Sequence, residues 1–299
     1  MAEYESAYFR IQELAEGVWA ALAKAGQGAW SNAGIVDLGR STLVVDAMFT
    51  PAAGAALREA AEHLTRNPVR WLVLTHRDHD HVLGSQAFQG VAIVATRTTA
   101  DCMRDRTGAF LQTARREGAR WLTQLEREAR AQVDPYERTQ RRAVRGEYQA
   151  LIQNIERITP ARPSLMADEN LTIYGQRREV QILSFGGVHT ESDSVVYLPE
   201  ERILFSGDIV QVGHHPAVRH GTPTHWPGVV RQVADLEADI VLSGHGPVGA
   251  REDVLLAERY YFELPEWANG APVPEPFASW DAPQTLVENL RYAQNAMAQ

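Results

Sequence analysis

The chain has 299 residues and a formal net charge of −9, and its composition excludes several classes of protein. A general nucleic-acid binder needs a basic surface, which this charge disfavours. The single cysteine, Cys102, excludes an internal disulfide and a thiolate metal cluster. No stretch approaches the roughly 18 apolar residues of a membrane span. Residues 1–6 are acidic and polar, unlike a signal peptide, so we expect a cytoplasmic protein with no membrane partner.

The order of predicted elements favours one large layered domain over residues 1–299. Apolar runs and alternating patterns predict strands, and 3.6-residue periodicity predicts helices. In the first part of the chain, strands are predicted at 18–23, 33–38, 42–46, 69–74 and 91–95, and helices at 51–64 and 82–88.

A helical insertion is predicted at about residues 97–162. This stretch has 14 Arg, no Lys and nine acidic residues, so its net charge is about +5 against about −14 for the remainder. Asp134 and Pro135 are expected to begin its second helix. The insertion is interpreted either as a solvated helical face or as a lid or homodimer element that attracts anionic substrates. Apolar residues recur at helical spacing at Trp121, Leu122, Leu125, Ala129 and Val133, and at Tyr148, Leu151, Ile152, Ile155 and Ile158.

The second part of the chain repeats the alternation of strands and helices. A C-terminal extension at about 265–299 contains a Pro-rich link at 272–276 and a short predicted helix at about 285–296. Strands are predicted at 171–174, 179–185, 194–198, 202–206 and 240–242, and helices at 227–236 and 251–262.

The segment Thr-His-Arg-Asp-His-Asp-His at 75–81 follows a predicted strand and is dense in metal ligands. Its three His and two Asp offer nitrogen and oxygen donors to divalent first-row metals, without a thiolate. A polar surface loop is the alternative for so short a motif. However, His189, Asp208 and His245 each end another strand-like stretch, and loops at strand ends converge in layered α/β folds. Together the four segments predict a metal-dependent active site.

These segments resemble the signature of the metallo-β-lactamase superfamily, and the resemblance extends from about residue 17 to about residue 261. It implies an α/β fold, the four-layer αββα sandwich of that superfamily, here with a helical insertion. It also implies a dinuclear site in which Asp208 bridges two metal ions. By this resemblance, the first ion is held by His76, Asp78 and His189, and the second by Asp80, His81 and His245.

Position 78 departs from the family motif, which has His where this chain has Asp78. With Asp80 and Asp208, it gives the site three carboxylates, which lowers its Lewis acidity and favours Fe or Mn over Zn. The cofactors are therefore predicted to be two divalent metal ions, with Zn, Fe and Mn all left open.

The resemblance implies a hydrolase whose metal-bound hydroxide attacks an ester, thioester, lactone or phosphoester bond of a small-molecule substrate. We expect Asp80 to ligate a metal and to hold the hydroxide proton. His79 is expected to orient a carboxylate or shuttle a proton, with an idle surface position as the alternative. His215 and His225 are the candidates for lining the substrate pocket.

Two other functions stay open from the sequence. The carboxylate-rich site would also suit an iron-dependent oxidoreductase, as the superfamily's di-iron branch suggests by resemblance. A catalytically silent binding protein is the other alternative, against which the intact set of seven ligand positions argues. Many β-lactamases of this fold carry Cys or Ser where this chain has Asp208, which disfavours antibiotic hydrolysis.

Overall fold

The computed structural model describes residues 4–298, so residues 1–3 of the acidic N-terminal segment and residue 299 lie outside the described part. The chain divides into two compact units, residues 1–166 and 167–299. Each unit contains one β-sheet and several helices. No helix among the described residues is long and apolar enough to cross a membrane. The organisation of residues 1–299 as a single domain stays a prediction.

The first unit contains a seven-stranded sheet whose strands lie side by side in chain order. The first four strands are antiparallel, and the last four run parallel to one another. The third and fourth strands are buried along their whole length. The strands are β1 Phe9–Ala15, β2 Val18–Ala23, β3 Ala33–Asp37, β4 Thr42–Val45, β5 Val69–Val73, β6 Ala92–Ala95 and β7 Leu165–Met166.

Helix α1, Pro51–Thr65, connects β4 to β5. Thr50 caps it by accepting a hydrogen bond from the backbone N–H of Ala53 at 3.2 Å, and Pro51 occupies the first turn. Helix α1 buries a stripe of small and apolar residues that includes Leu57 and Ala60.

The prediction of a helix at 82–88 is wrong in the type of helix and in the residue at which it begins. A short helix α2, His79–Val82, comes first, and residues 83–88 form a 3-10 helix. A Cβ atom at Gly84 would collide with the carbonyl oxygen of Ala47, so the tight turn depends on glycine there. This close packing between segments outweighs the periodicity that predicted a regular α-helix.

The insertion consists of two long helices, α3 Arg97–Ala131 and α4 Pro135–Asn154, followed by a 3-10 turn at 155–157. The prediction that Asp134 and Pro135 begin the second helix is confirmed, since the Asp134 side chain accepts hydrogen bonds from two backbone N–H groups of its first turn. The helical position predicted for Val133 is wrong. Helix α3 ends at Ala131, and Val133 is 89% exposed in the link.

A small hydrophobic cluster connects the insertion to the remainder of the first unit. Leu111, Ala114, Leu151 and Ile155 are buried, and the cluster continues into residues outside the insertion. The two helices are so close at Gly118 that a Cβ atom there would lie 2.7 Å from Ile152 Cδ1. The outside members of the cluster are Phe49 and Leu83.

The second unit contains a six-stranded sheet in the order β13-β12-β11-β10-β9-β8. All neighbours are antiparallel except β11 and β12, which are parallel. The helix predicted at 251–262 continues six residues further than expected. The elements are β8 Leu171–Tyr174, β9 Glu179–Gly186, β10 Asp193–Leu198, β11 Ile203–Gly207, β12 Ile240–Ser243 and β13 Val248–Ala250, with α5 Trp226–Ala234, α6 Arg251–Ala268 and α7 Pro283–Met297.

Candidate metal centre

The first unit brings three predicted ligands together in the loop after β5. His76 and His81 are both buried, and their ring centroids lie 4.1 Å apart. Asp80 Oδ2 lies 3.6 Å from His81 Nε2. The residues after β5 therefore present two imidazoles and a carboxylate at the carboxyl end of that strand, where functional groups gather in such sheets.

A buried carboxylate at the end of β4 fixes the tautomers of both histidines. Asp46 accepts hydrogen bonds from His81 Nδ1 at 2.8 Å and from the Thr75 hydroxyl at 2.9 Å. Because that hydroxyl donates its only proton to Asp46, its oxygen accepts from His76 Nδ1 at 2.9 Å. Both Nδ1 atoms therefore carry the proton, and each Nε2 keeps the lone pair that a metal ion binds.

Asp78, the residue that departs from the family motif, is held by its chain neighbour. Arg77 Nη1 lies 2.6 Å from Asp78 Oδ1, and the two side chains are mostly buried. A guanidinium cation thus lies directly on the additional carboxylate and offsets its charge.

His79 packs against the helical insertion. Its ring stacks on Phe110 of α3 with centroids 3.8 Å apart and an interplanar angle of 16°. Burial lowers the pKa of His79 below its ordinary value, although Asp78 and Asp80 act in the opposite direction. The predicted role in proton transfer or carboxylate orientation stays a prediction.

In the second unit, three strands deliver the other predicted ligands to one edge of the sheet. His189 follows β9, Asp208 follows β11 and His245 follows β12. Strands β9 and β11 are each antiparallel to β10, and β12 is parallel to β11, so all three end at the same edge. A hydrogen bond from the Gly244 N–H to the Gly207 carbonyl, 2.9 Å, joins the loops after β11 and β12.

Asp208 lies between the two histidines of this unit. Its Oδ2 atom is 3.5 Å from His189 Nε2 and 3.4 Å from His245 Nε2. His189 Nδ1 donates to the Ala217 carbonyl at 2.7 Å, which directs Nε2 toward the carboxylate side. One carboxylate oxygen is therefore adjacent to the Nε2 atoms of two histidines on separate loops.

A second buried carboxylate, Asp193, shapes the loop that carries His189. Its two oxygens accept hydrogen bonds from the backbone N–H groups of Val188, His189 and Thr190, at 2.7 to 3.1 Å. The Thr190 hydroxyl donates to it at 2.6 Å. The loop also depends on Gly187, where a Cβ atom would collide with the carbonyl oxygen of Thr190.

The structure places the two candidate pocket histidines differently. His215 is 5% exposed, lies against Tyr260 and Trp280, and its Nδ1 is 3.2 Å from the Tyr260 hydroxyl. Burial lowers the pKa of His215 to about 4, so the ring is neutral at physiological pH. His225 is exposed and immediately precedes α5. That either residue lines a substrate pocket stays a prediction.

The donor set fits a first-row divalent ion. The seven predicted ligands offer imidazole nitrogens and carboxylate oxygens and no sulfur, which suits Zn, Fe and Mn alike. Sequence reasoning missed Asp46, Asp193 and the pairing of Arg77 with Asp78. For Asp46 a signal existed, because an acidic residue ends the predicted strand 42–46.

Comparison with known proteins shows the family to which the chain belongs. The family model of the metallo-beta-lactamase superfamily matches residues 30–245. A comparison with curated proteins found no significant match.

Solved metallo-β-lactamases share the fold. The enzyme from Pontibacter korlensis is 18% identical, with a TM-score of 0.60 over 85% of this chain and 98% of that one. FIM-1 from Pseudomonas aeruginosa, in a mono-zinc form, is 20% identical, with a TM-score of 0.60 over 88% and 97%. The enzyme from Erythrobacter litoralis is 19% identical, with a TM-score of 0.61 over 87% and 99%. These matches confirm the expected α/β fold of the metallo-β-lactamase type.

Proposed function

Because the chain belongs to the metallo-β-lactamase superfamily, we propose that it is a dinuclear metal-dependent hydrolase of an ester, thioester, lactone or phosphoester bond. One observation carries the proposal. Asp208 Oδ2 lies within 3.5 Å of the Nε2 atoms of both His189 and His245, where a carboxylate bridging two ions would stand. The two contacts bring one carboxylate oxygen beside two imidazole nitrogens, as a bridging ligand requires.

Each proposed ligand set contains two imidazoles and one carboxylate. The ions are Zn, Fe or Mn, and zinc is the ion described for FIM-1. The first set is His76, Asp78 and His189, the second is Asp80, His81 and His245, and Asp208 bridges them.

When bound, two such ions lower the pKa of a water molecule and polarise the electrophilic centre of the substrate. The remaining steps belong to the protein. Asp80 accepts the proton of the attacking water, and His79, next to it in sequence, passes the proton on to the leaving group. Asp46 keeps the imidazoles of His76 and His81 in the tautomer that presents Nε2.

The fold neighbours do not define the substrate. They are β-lactamases, but at about 20% identity their likeness extends to the fold alone. Asp208 in place of Cys or Ser favours the ester, thioester, lactone and phosphoester classes over β-lactams.

Replacement of the bridging carboxylate tests the proposal. Asp208→Asn should lower the metal content below two ions per chain and abolish turnover, because a neutral amide bridges two cations poorly. Elemental analysis gives the metal content. Turnover is followed with 4-nitrophenyl esters, lactones and bis-4-nitrophenyl phosphate.

Asp235→Asn is the matched control, since Asp235 is an exposed aspartate of the same unit at the end of α5. It should keep two ions and full activity. Two ions and full activity in Asp208→Asn would overturn the proposal. Iron-loaded protein that consumes oxygen and hydrolyses none of these substrates would favour the oxidoreductase alternative.

A further inference from the structure

A groove of about 550 Å³ lies on the helical insertion, apart from every predicted metal ligand. Its volume falls within the range of small-molecule sites, roughly 300 to 1,000 Å³. Both long helices contribute to it. The lining residues are Ala109, Phe110, Thr113, Trp121, Gln124, Leu125 and Tyr148.

The groove is uncharged although the insertion around it is strongly basic. None of the lining residues is ionised at neutral pH, whereas residues 97–162 contain 14 Arg. The Thr113 and Gln124 side chains are engaged within α3, because Thr113 donates to the Ala109 carbonyl at 2.9 Å and Gln124 donates to Glu128 at 2.9 Å. The groove therefore offers its ligand chiefly aromatic and aliphatic surface.

The aromatic wall of the groove is already formed. The rings of Trp121 and Tyr148 meet edge to face at 5.7 Å, and Tyr148 meets Trp30 and Phe49 in the same way at 5.4 and 6.1 Å. Phe49 is 1% exposed and belongs to the core that anchors the insertion. A rigid apolar wall reduces the entropy lost when a ligand binds.

Phe110 connects the groove to the metal-binding loop. It lines the groove and also stacks on His79, whose chain neighbours are the predicted ligands Asp78 and Asp80. One aromatic ring thus separates the apolar surface from the loop proposed to hold the metals. A substrate that reacts at this loop has the groove within reach of its remaining atoms.

We propose that this groove binds the apolar arm of the substrate, an alkyl chain or aryl group attached to the acyl side of the bond that is cleaved. The proposal rests on the proposed function, because that function places the reacting bond at the metal centre. It narrows the substrates to esters, thioesters and lactones with a hydrophobic acyl part. It also gives the insertion a role in specificity.

A series of 4-nitrophenyl esters from acetate to octanoate tests the proposal, since the leaving group stays constant. For the wild type, kcat/KM should rise by about two- to fourfold per added methylene until the groove is filled. Leu125→Glu places a charge in the groove and should flatten this dependence. Phe262→Glu is the control, because Phe262 is 68% exposed on α6 and lies outside the groove.

A binding measurement separates the groove from the chemistry. The neutral fluorophore N-phenyl-1-naphthylamine should bind the purified enzyme saturably and be displaced by octanoate. Leu125→Glu should weaken this binding at least fivefold, and Phe262→Glu should leave it unchanged. Sedimentation of all three proteins shows whether a second copy of the chain covers the groove.

The outcomes distinguish the two proposals. If the protein hydrolyses esters without chain-length dependence and does not bind the fluorophore, the groove proposal is wrong and the proposed hydrolase function is unaffected. Fluorophore binding that depends on Leu125, without hydrolysis of any ester, lactone or phosphodiester, overturns the proposed function and keeps the groove as an apolar ligand site. A wild-type dimer that dissociates in Leu125→Glu overturns the groove proposal, since the surface then belongs to an interface.

Discussion

Each unit uses a buried carboxylate to hold a histidine of the candidate metal centre, but the two carboxylates act on different parts of the chain. Asp46 accepts a hydrogen bond from the imidazole of His81 itself at 2.8 Å. The Asp193 carboxylate accepts hydrogen bonds from the loop around His189, through backbone N–H groups and one hydroxyl. The imidazole of His189 donates instead to a neutral carbonyl, that of Ala217.

We therefore expect the two carboxylates to affect different properties, one the binding of metal by its histidine and the other the conformation of a loop. A carboxylate partner makes an imidazole a stronger electron donor than a carbonyl partner does, so Asp46 should govern metal affinity. Asp193 satisfies backbone donors that would otherwise be buried without acceptors, so it should govern folding stability.

The largest effect is expected for Asp193→Ala. Three buried N–H groups lose their acceptor, and each unsatisfied group costs about 1 to 3 kcal/mol, so the free energy of unfolding should fall by at least about 3 kcal/mol. Urea unfolding of the protein in a metal chelator measures this loss. Asp193→Asn keeps one acceptor oxygen and should lose less. A loss under about 1 kcal/mol for the alanine variant would show that water or a shifted backbone replaces the carboxylate.

Asp46→Asn should have a smaller effect on stability and a clear effect on metal binding. Loss of the charge behind His81 should weaken zinc binding by about 10- to 100-fold, measured by competition with a chelator. Asp37→Asn is the control, because Asp37 is a buried carboxylate of the same sheet that accepts hydrogen bonds from Gly39 and Asn67. Equal zinc affinity in the two variants would remove the distinction between the carboxylates.

A third buried carboxylate, Glu147 of α4, extends the comparison to the pH dependence of stability. Like Asp193 it binds backbone donors, the N–H groups of Gly26 and Gly28, both at 2.6 Å. Burial, with a contribution from Asp80, nevertheless raises the pKa of Glu147 to about 7. A raised pKa means that the folded state binds a proton more tightly than the unfolded state does.

The contribution of Glu147 to stability should therefore be complete below about pH 4.5 and be lost as the pH rises to about 7. Glu147→Gln should remove this part of the pH dependence, on the order of 1 kcal/mol per pKa unit. Urea unfolding between pH 4.5 and 8 measures the effect. Glu137→Gln, in the first turn of the same helix, is the control and should keep the wild-type slope. The same slope in Glu147→Gln would assign the dependence to another group.

The strands that carry the predicted ligands could be located from the sequence because their apolar runs are long and end in polar residues. Strands β5, β9, β11 and β12 all lie within one or two residues of their predicted bounds. Strands β7 and β13 were missed because segments of two and three residues give no periodic pattern. Strand β1 was missed because its polar residues obscure the alternation.

Long-range contacts of side chains could not be predicted. The contact between Asp46 and His81 spans 35 residues, and nothing local in the sequence indicates it. The groove depends in the same way on Phe110 and Tyr148 meeting across two helices. Helical periodicity identified Tyr148 as one of the apolar positions of its helix, but the pattern contains no information about the shape between two helices.

Because Arg77 and Asp78 form an ion pair, we expect these two positions to change together in evolution and in engineering. Together they contribute no net charge, as a neutral histidine at position 78 would. A change at one position alone removes this ion pair, so we expect the two positions to covary among relatives of this chain. Grafting this loop onto another member of the superfamily would require both residues to be transferred together.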